Sequence, residues 1–446
     1  MPRTRTLLVA LLLCAAPAAV PTSASAATTG RVVVLMRPGA PSLTASSATV
    51  RLADARLGMR VLTPGAGETA GHLARRLRHA PGVASAQVEG RMAPFTIDPA
   101  RTRVDTSGRL PAGTAIQWTL PRLHVPDVGA RPSKRVRVAI IDSGADTGHP
   151  DLRRAIAATG SSDAEYPDPS TDEDGHGTHV ASLACATPDN GVGLAGTGGW
   201  CDLLIVKSDL RDASVAWGIR AAVDAGAGVI NMSFGASKAR APVAAIRRAI
   251  NYVVAKGVIL VAAAPNEPKD RTTQPASLLQ PRGTGQDIAK GRGLVVTSAN
   301  FADARASFAA FGSGISLAAY GAATDTVNAD GTSTVTGVFG AFPRTTTTLD
   351  TGTRFPPPGQ APCGCRASLG AETAYASMAG NSMAAPEVAG IAARVRAAAP
   401  RAKLQDLLKV IKQTASRPAG TAGWSDQLGW GIVNAQAAVI AARKLR

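Results

Sequence analysis

Five short apolar runs, separated by stretches of helical spacing, constrain this chain most. They cover residues 136–141, 203–206, 229–232, 258–264 and 294–298. Each is too short for a stable helix and apolar at nearly every position, the pattern of a strand buried on both faces. Residues 214–225 and 243–256 lie between such runs. In the second stretch Val243, Ile246, Ile250 and Val253 fall on one helical face. Strands alternating with helices predict an α/β fold with a mostly parallel central sheet and helices on both faces. In sheets of this kind the chemistry gathers at the carboxyl ends of the strands.

The front of the 446-residue chain reads differently. Arg3 and Arg5 precede an apolar run over 7–20, and Ala24-Ser25-Ala26 follows. This is the charge, apolar stretch and small-residue exit of a signal peptide over 1–26. Pro17 and Pro21 break the run, which is too short to span a bilayer. The expected product is secreted, with no membrane association after cleavage, and its compartment permits disulfides. Residues 27–112 then read as a small α+β unit. Strands are expected at 31–36 and 83–88, with an Arg-rich helix at 70–79 and a polar linker at 98–114. The α/β region covers 113–446.

The formal charge is +17, but a little over half of it lies in residues 1–114. Aromatics are only 4%, and the pairs Arg153-Arg154 and Arg247-Arg248 are scattered. Nucleic-acid binding asks for a dense basic face with interleaved aromatics, so these pairs are read as solvated helix faces and no nucleic-acid partner is expected. Four Cys follow residue 26, which allows three pairings. Cys185 and Cys201 are plausible partners. Cys363 and Cys365 are two apart, and a bridge between them is expected to be strained.

Three segments carry candidate chemistry. Asp142 ends a buried strand in Ile140-Ile141-Asp142-Ser143-Gly144. His176 opens a helix in Asp174-Gly175-His176-Gly177-Thr178-His179. Ser382 opens another in Gly380-Asn381-Ser382-Met383-Ala384-Ala385-Pro386. Alone, each has a plain structural reading as a turn residue, a space-filler or a helix cap. Together they supply the orienting acid, the base and the hydroxyl nucleophile of acyl transfer. A Ser at a helix start also brings its own N–H and the positive helix end to a developing oxyanion.

In that order these motifs resemble the subtilisin-like serine proteases, over about 115–446. The order Asp, His, Ser is the one known for subtilisin itself. The resemblance implies a secreted serine endopeptidase made as a self-processing zymogen, with a subtilisin-like α/β fold. Asp142, His176 and Ser382 match the family's triad, and His179 is read as structural. Ile230-Asn231-Met232-Ser233-Phe234-Gly235 resembles the peptide-pairing strand, which makes Ser233, Phe234 and Gly235 substrate-binding residues by β-augmentation. Val261 to Glu267 resembles the segment bearing the oxyanion donor, here Asn266. Residues 27–112 resemble the propeptide, which acts as folding aid and inhibitor. Peptide or protein substrate and the chain's own propeptide are the implied partners of a monomer. The chemistry needs no cofactor. A structural calcium ion is implied at Asp151 and Asn190, which match side-chain ligand positions of a family site.

Several residues depart from the family pattern. Pro265 stands where Gly is usual, Asn381 where Thr is usual, and Glu387 where His is usual. Proline fixes φ and lacks an N–H, so Pro265 bears directly on where Asn266 points. Glu387 is read as peripheral. Residues 321–377 are longer than a compact subtilisin and are expected as surface loops near Ser382. Pro265 and this insertion motivate one alternative, a non-cleaving subtilisin-fold protein that binds peptides or a partner.

Overall fold

The computed structural model describes residues 30–445 except 41–42, 44–47, 96–101, 106–114, 127–130, 133, 164–166, 237–242, 353–361, 370–371 and 419–421. Residues 1–26 lie outside the described residues.

The central sheet has seven strands in the order Leu317–Tyr320, Leu294–Ala299, Ile259–Ala263, Val229–Met232, Arg137–Asp142, Asp202–Lys207 and Ile156–Ser161. All neighbours are parallel. The five apolar runs supply the inner strands. Alternate residues feed two cores: Val138 and Ile140 pack with the helices His176–Cys185 and Asn381–Ala398, while Ala139 and Ile141 pack with Asp212–Asp224 and Ala244–Ala255. The expected parallel α/β fold is therefore present, with helices on both faces. The edge strand Ile156–Ser161 has no buried residue and three exposed ones, so it carries no continuous apolar signature.

The front unit is a four-stranded antiparallel sheet in the order Thr49–Asp54, Met59–Thr63, Val32–Met36, Val83–Val88, with the helix Ala70–Arg78 on one face. All five residues of Val32–Met36 are buried. Val32, Val34 and Met36 join Leu73 and Leu77 of the helix, whereas Val33 and Leu35 join Ile246 and Ile250 across the boundary. A sheet with apolar side chains on both faces needs a second cover, and the helices Asp212–Asp224 and Ala244–Ala255 provide it.

Polar contacts fix the same interface. Those two helices begin at Arg211 and Val243, which supply no side-chain cap. Glu89 Oε1 instead accepts from Ala213 N at 3.3 Å, and Gln87 Oε1 from Ala244 N at 3.1 Å. The front unit thus satisfies N–H groups that a helix start leaves open. Arg220 Nε reaches Asp54 Oδ2 at 2.7 Å. Arg248 Nη1 donates to Met36 O at 3.0 Å and Leu57 O at 2.7 Å. Arg248 is therefore an interface residue, in contrast to the solvated-face reading of the Arg pair.

The 321–377 segment is built, where loops were expected. Asp325–Val327 and Ser333–Thr336 form a sheet with Thr102–Asp105, and Val338–Ala341, Glu372–Met378 and Arg366–Leu369 form another. Phe342 and Tyr375 are buried in it. Thr102–Asp105, expected as linker, pairs in parallel with Ser333–Thr336. Cys185 is bonded to Cys201, and Cys363 to Cys365. The second bridge closes because Gly364, at φ +54°, turns the chain and sets the two Cα atoms 5.0 Å apart, within the common disulfide range. No helix among the described residues is long and apolar enough to cross a membrane.

Glu387 is fully buried, and its Oε2 accepts from Tyr320 N at 3.0 Å. Burial raises its pKa to about 8, against the opposing bonds from Thr119 and Tyr320. The unfolded carboxyl ionises near its ordinary value while the folded one stays protonated. Between about pH 4.5 and 8 the unfolded state thus binds fewer protons, and stability falls as pH rises. Glu387→Gln keeps an acceptor for Tyr320 and cannot ionise. It should raise the unfolding free energy at pH 8 by on the order of a few kcal/mol, seen as a higher Tm, and leave both nearly unchanged at pH 4. Equal shifts in thermal scans at both pH values would contradict a neutral buried acid.

Candidate active site

The carboxyl ends of the central strands converge on one cleft. Asp142, the last residue of Arg137–Asp142, is 1% exposed. Its Oδ1 accepts from Ser143 N at 2.8 Å and meets His176 Nδ1 at 2.8 Å. That contact makes Nδ1 the protonated nitrogen and leaves Nε2 as the base. His176 Nε2 is buried and has no hydrogen-bond partner among the described residues.

His176 is the first residue of its helix, and Asp172 holds that helix start. Asp172 Oδ1 accepts from Gly175 N at 2.8 Å, and Oδ2 accepts from Thr178 N at 2.8 Å and Thr178 Oγ1 at 2.6 Å. Ser143 Oγ donates to Asp172 Oδ1 at 2.8 Å and accepts from Gly177 N at 2.9 Å. The strand end bearing Asp142 is thereby stitched to the helix bearing His176. Sequence reasoning missed Asp172; its only signal is the acidic run 172–174 just before the His motif. Burial raises the Asp172 pKa against these bonds. For His176 burial acts to lower the pKa, but the charge and hydrogen bond of Asp142, helped by Asp174 and Asp172, leave it above the ordinary value. His179, one helical turn on, is held neutral: burial and the His176 charge push it down to about 3. Its Nε2–H donates to Val338 O and Ala376 O, both at 3.2 Å, so it ties the helix to the 321–377 segment.

Ser382 lies at the start of Asn381–Ala398 and is 1% exposed. Its hydroxyl donates to Ser233 O at 2.9 Å, and Ser233 Oγ donates to Ser382 O at 2.9 Å. The second bond is available because Pro386, four residues on, has no N–H for the Ser382 carbonyl. Asn266 is 2% exposed. Asn381 N donates to Asn266 Oδ1 at 2.8 Å, and Asn381 Nδ2 donates to Pro265 O at 2.7 Å. Asn381 Oδ1 accepts from Ser298 N at 2.6 Å. This clamp aims Asn266 Nδ2 into the cleft, where it donates to Phe95 O at 2.8 Å. Phe234–Gly235 pairs antiparallel with Ala93–Pro94. Ser382, Ser233, Asn266, Phe234 and Gly235 thus meet around the chain's own segment 93–95, while Asp142 and His176 pair with each other at the end of the neighbouring strand Arg137–Asp142.

The subtilase family model matches residues 133–431. The chain belongs to the subtilase family. Subtilisin BL from Lederbergia lenta is 30% identical over 332 residues, 73% of this chain and 98% of that protein. Thermitase from Thermoactinomyces vulgaris is 27% identical over 308 residues, 68% of this chain and 88% of that one. Among solved structures, fervidolysin from Fervidobacterium pennivorans superposes with a TM-score of 0.65 over 92% of this chain and 61% of that one; at 20% identity this likeness concerns the fold alone. This subtilase is a serine endopeptidase acting on peptide or protein substrates, with chemistry that requires no cofactor.

At the implied calcium position the protein supplies its own donors. Asp151 and Asn190 do meet, but Asn190 Nδ2 donates to Asp151 Oδ1 at 2.9 Å. Leu194 N and the Tyr375 hydroxyl donate to Asp151 Oδ2, each at 3.0 Å. The Asn190 carbonyl oxygen accepts from Val192 N at 3.0 Å. A cation needs inward-turned oxygen lone pairs, whereas here three donors converge on the carboxylate. As arranged, the pair does not fit a calcium ion. No group of three or more His, Cys, Asp or Glu able to hold a metal occurs among the described residues.

Proposed function

We propose that this subtilase is an exported endopeptidase, made as a self-processing zymogen and acting through Asp142, His176 and Ser382. Residues 1–26 direct export, 27 to about 112 form the inhibitory propeptide, and 113–446 form the peptidase domain. Asp142 orients His176 and stabilises its charged form. His176 Nε2 takes the Ser382 proton as base and returns it to the leaving amine as acid. Asn266 Nδ2 and the Ser382 N–H stabilise the oxyanion. Ser233, Phe234 and Gly235 hold the substrate as an added strand. The observation that carries this reading is the 2.8 Å His176–Asp142 contact with the opposite imidazole nitrogen buried and left open. Attack requires the Ser382 hydroxyl to leave the Ser233 carbonyl and give its proton to His176 Nε2.

A fluorophosphonate probe tests this directly. One equivalent should attach to Ser382, located by peptide mass mapping. The rate should fall on acidification, because a protonated His176 cannot act as base. The raised His176 pKa sets that fall above the ordinary value of 6.5. Labelling elsewhere, or no labelling of the processed protein, would remove Ser382 from the role.

A further inference from the structure

The 321–377 segment packs against the helix that carries His176. We infer that Phe342 is a positioning residue for His176, and that together with Thr348 it makes this segment a brace for the start of that helix. The inference rests on His176 being the base.

The start of His176–Cys185 is weakly held by its own cap. Gly175 occupies the cap position at φ +100° and has no side chain to accept from the first N–H groups. Glycine suits this left-handed backbone, but it also leaves the turn more conformational freedom than any other residue would. His176 comes next, so a shift of this turn is a shift of the base. Two close approaches remove that freedom. At Gly177 a Cβ would come within 2.1 Å of Gly144 O and 3.2 Å of Asp142 Cβ, so the helix lies directly on the strand end that carries Asp142. At Gly175 a Cβ would come within 2.4 Å of Phe342 Cε2 and 2.5 Å of Cζ. The edge of the Phe342 ring therefore rests on the backbone of the residue just before His176.

Phe342 is itself fixed. It is fully buried beside Cys365 and Ala376, and its N–H donates to Ala374 O at 2.8 Å. The Arg366 guanidinium lies over the ring, 4.8 Å from its centroid. That guanidinium donates to Pro343 O at 2.8 Å, Thr345 O at 2.9 Å, and the Asp350 oxygens at 3.1 and 2.6 Å. In a close-packed interior a ring held this way does not yield to small displacements. Thr348 adds a polar grip. Its N–H donates to Glu173 O at 2.8 Å, and its hydroxyl donates to Asp174 Oδ2 at 3.1 Å. Asp174 Oδ1 in turn accepts from His176 N at 3.3 Å. One carboxylate thus links the segment to the backbone of the base. At the last turn of the same helix, Ala341 N donates to Ser182 Oγ at 2.9 Å. The segment therefore grips the helix at both ends. A displacement of about 1 Å in a reacting group can cost about 10²-fold in rate, so packing behind the helix start reaches the chemistry.

The test expresses the full chain as wild type and as Phe342→Ala, Phe342→Met, Thr348→Val and His176→Ala. Each is assayed on an internally quenched casein peptide, at a temperature where circular dichroism shows it folded. Phe342→Ala should lower kcat by about 10²-fold with KM within about twofold, because the base is displaced and the substrate contacts are not. Phe342→Met refills the space with a side chain that adapts to irregular gaps, and should bring kcat back to within about fivefold of wild type. Thr348→Val removes only the hydroxyl bond to Asp174 and should lower kcat by about threefold to tenfold, again at near-constant KM. His176→Ala is the control on the base itself and should be inactive. This inference alone is overturned, with His176→Ala inactive, by any of four results: unchanged kcat in folded Phe342→Ala, no recovery in Phe342→Met, unchanged kcat in Thr348→Val, or KM rising in step with the fall in kcat. If Phe342→Ala does not fold, Thr348→Val decides by itself, since its half-buried side chain is removed from the core of the segment. Full activity in His176→Ala overturns both this inference and the peptidase mechanism it rests on.

Discussion

Ser382→Ala should yield a precursor that never shortens and a kcat on peptides lower by about 10⁶-fold, a magnitude carried over from triad removal in subtilisin. The fold should survive. The lost group makes one buried hydrogen bond, to Ser233 O, and a bond of that kind contributes about 1 kcal/mol. The partner bond from Ser233 Oγ to the Ser382 carbonyl does not involve the side chain and remains. Tm of the variant precursor should therefore lie within a few degrees of wild type, while the catalytic loss spans orders of magnitude. This contrast separates a chemical role from a structural one. If the Ser382→Ala precursor still shortens when expressed in a protease-free host, another nucleophile does the work.

The parts of this structure legible in the sequence are those whose physics is local. Arg137–Asp142 and Val229–Met232 are inner strands covered on both faces, so their apolar runs are nearly continuous. Asp142, His176 and Ser382 sit at strand and helix ends, where short motifs survive as residue identities. Edges escaped notice for the opposite reason. Ile156–Ser161 and Thr49–Asp54 are mostly exposed, and exposed strands need no apolar pattern. The 321–377 strands carry little signal because they are short, three to seven residues each, in a segment rich in Ser, Thr and Gly. The least legible features are non-local. Nothing near Arg211 or Val243 announces that Glu89 and Gln87 cap their helices. Nothing around Phe95 marks it, since its place depends on Gly235 and Asn266, well over a hundred residues away.

Asn266→Ala should lower kcat by about 10²–10³, roughly 2.7–4 kcal/mol, with little change in KM; the magnitude is that of the corresponding donor in subtilisin. The split follows because the full negative charge on oxygen exists only in the transition state. Asn381 is the positioning residue behind it. Its backbone N–H holds Asn266 Oδ1, and its side chain links Pro265 O to Ser298 N. Asn381→Ala removes both side-chain links and leaves the backbone bond, so it should lower kcat by a smaller factor, about 10-fold, again at near-constant KM. Pro265 then decides whether this segment is impaired. Pro265 is not among the residues of positive φ, and its carbonyl accepts from both Asn381 Nδ2 and Ala310 N. A proline fits such a backbone without strain, and nothing in the clamp uses the N–H it lacks. Pro265→Gly should therefore leave kcat within about twofold and lower stability by about 0.4–1 kcal/mol, through the greater freedom of the unfolded chain. A gain in kcat of tenfold or more in Pro265→Gly would show instead that the proline holds Asn266 away from its best position.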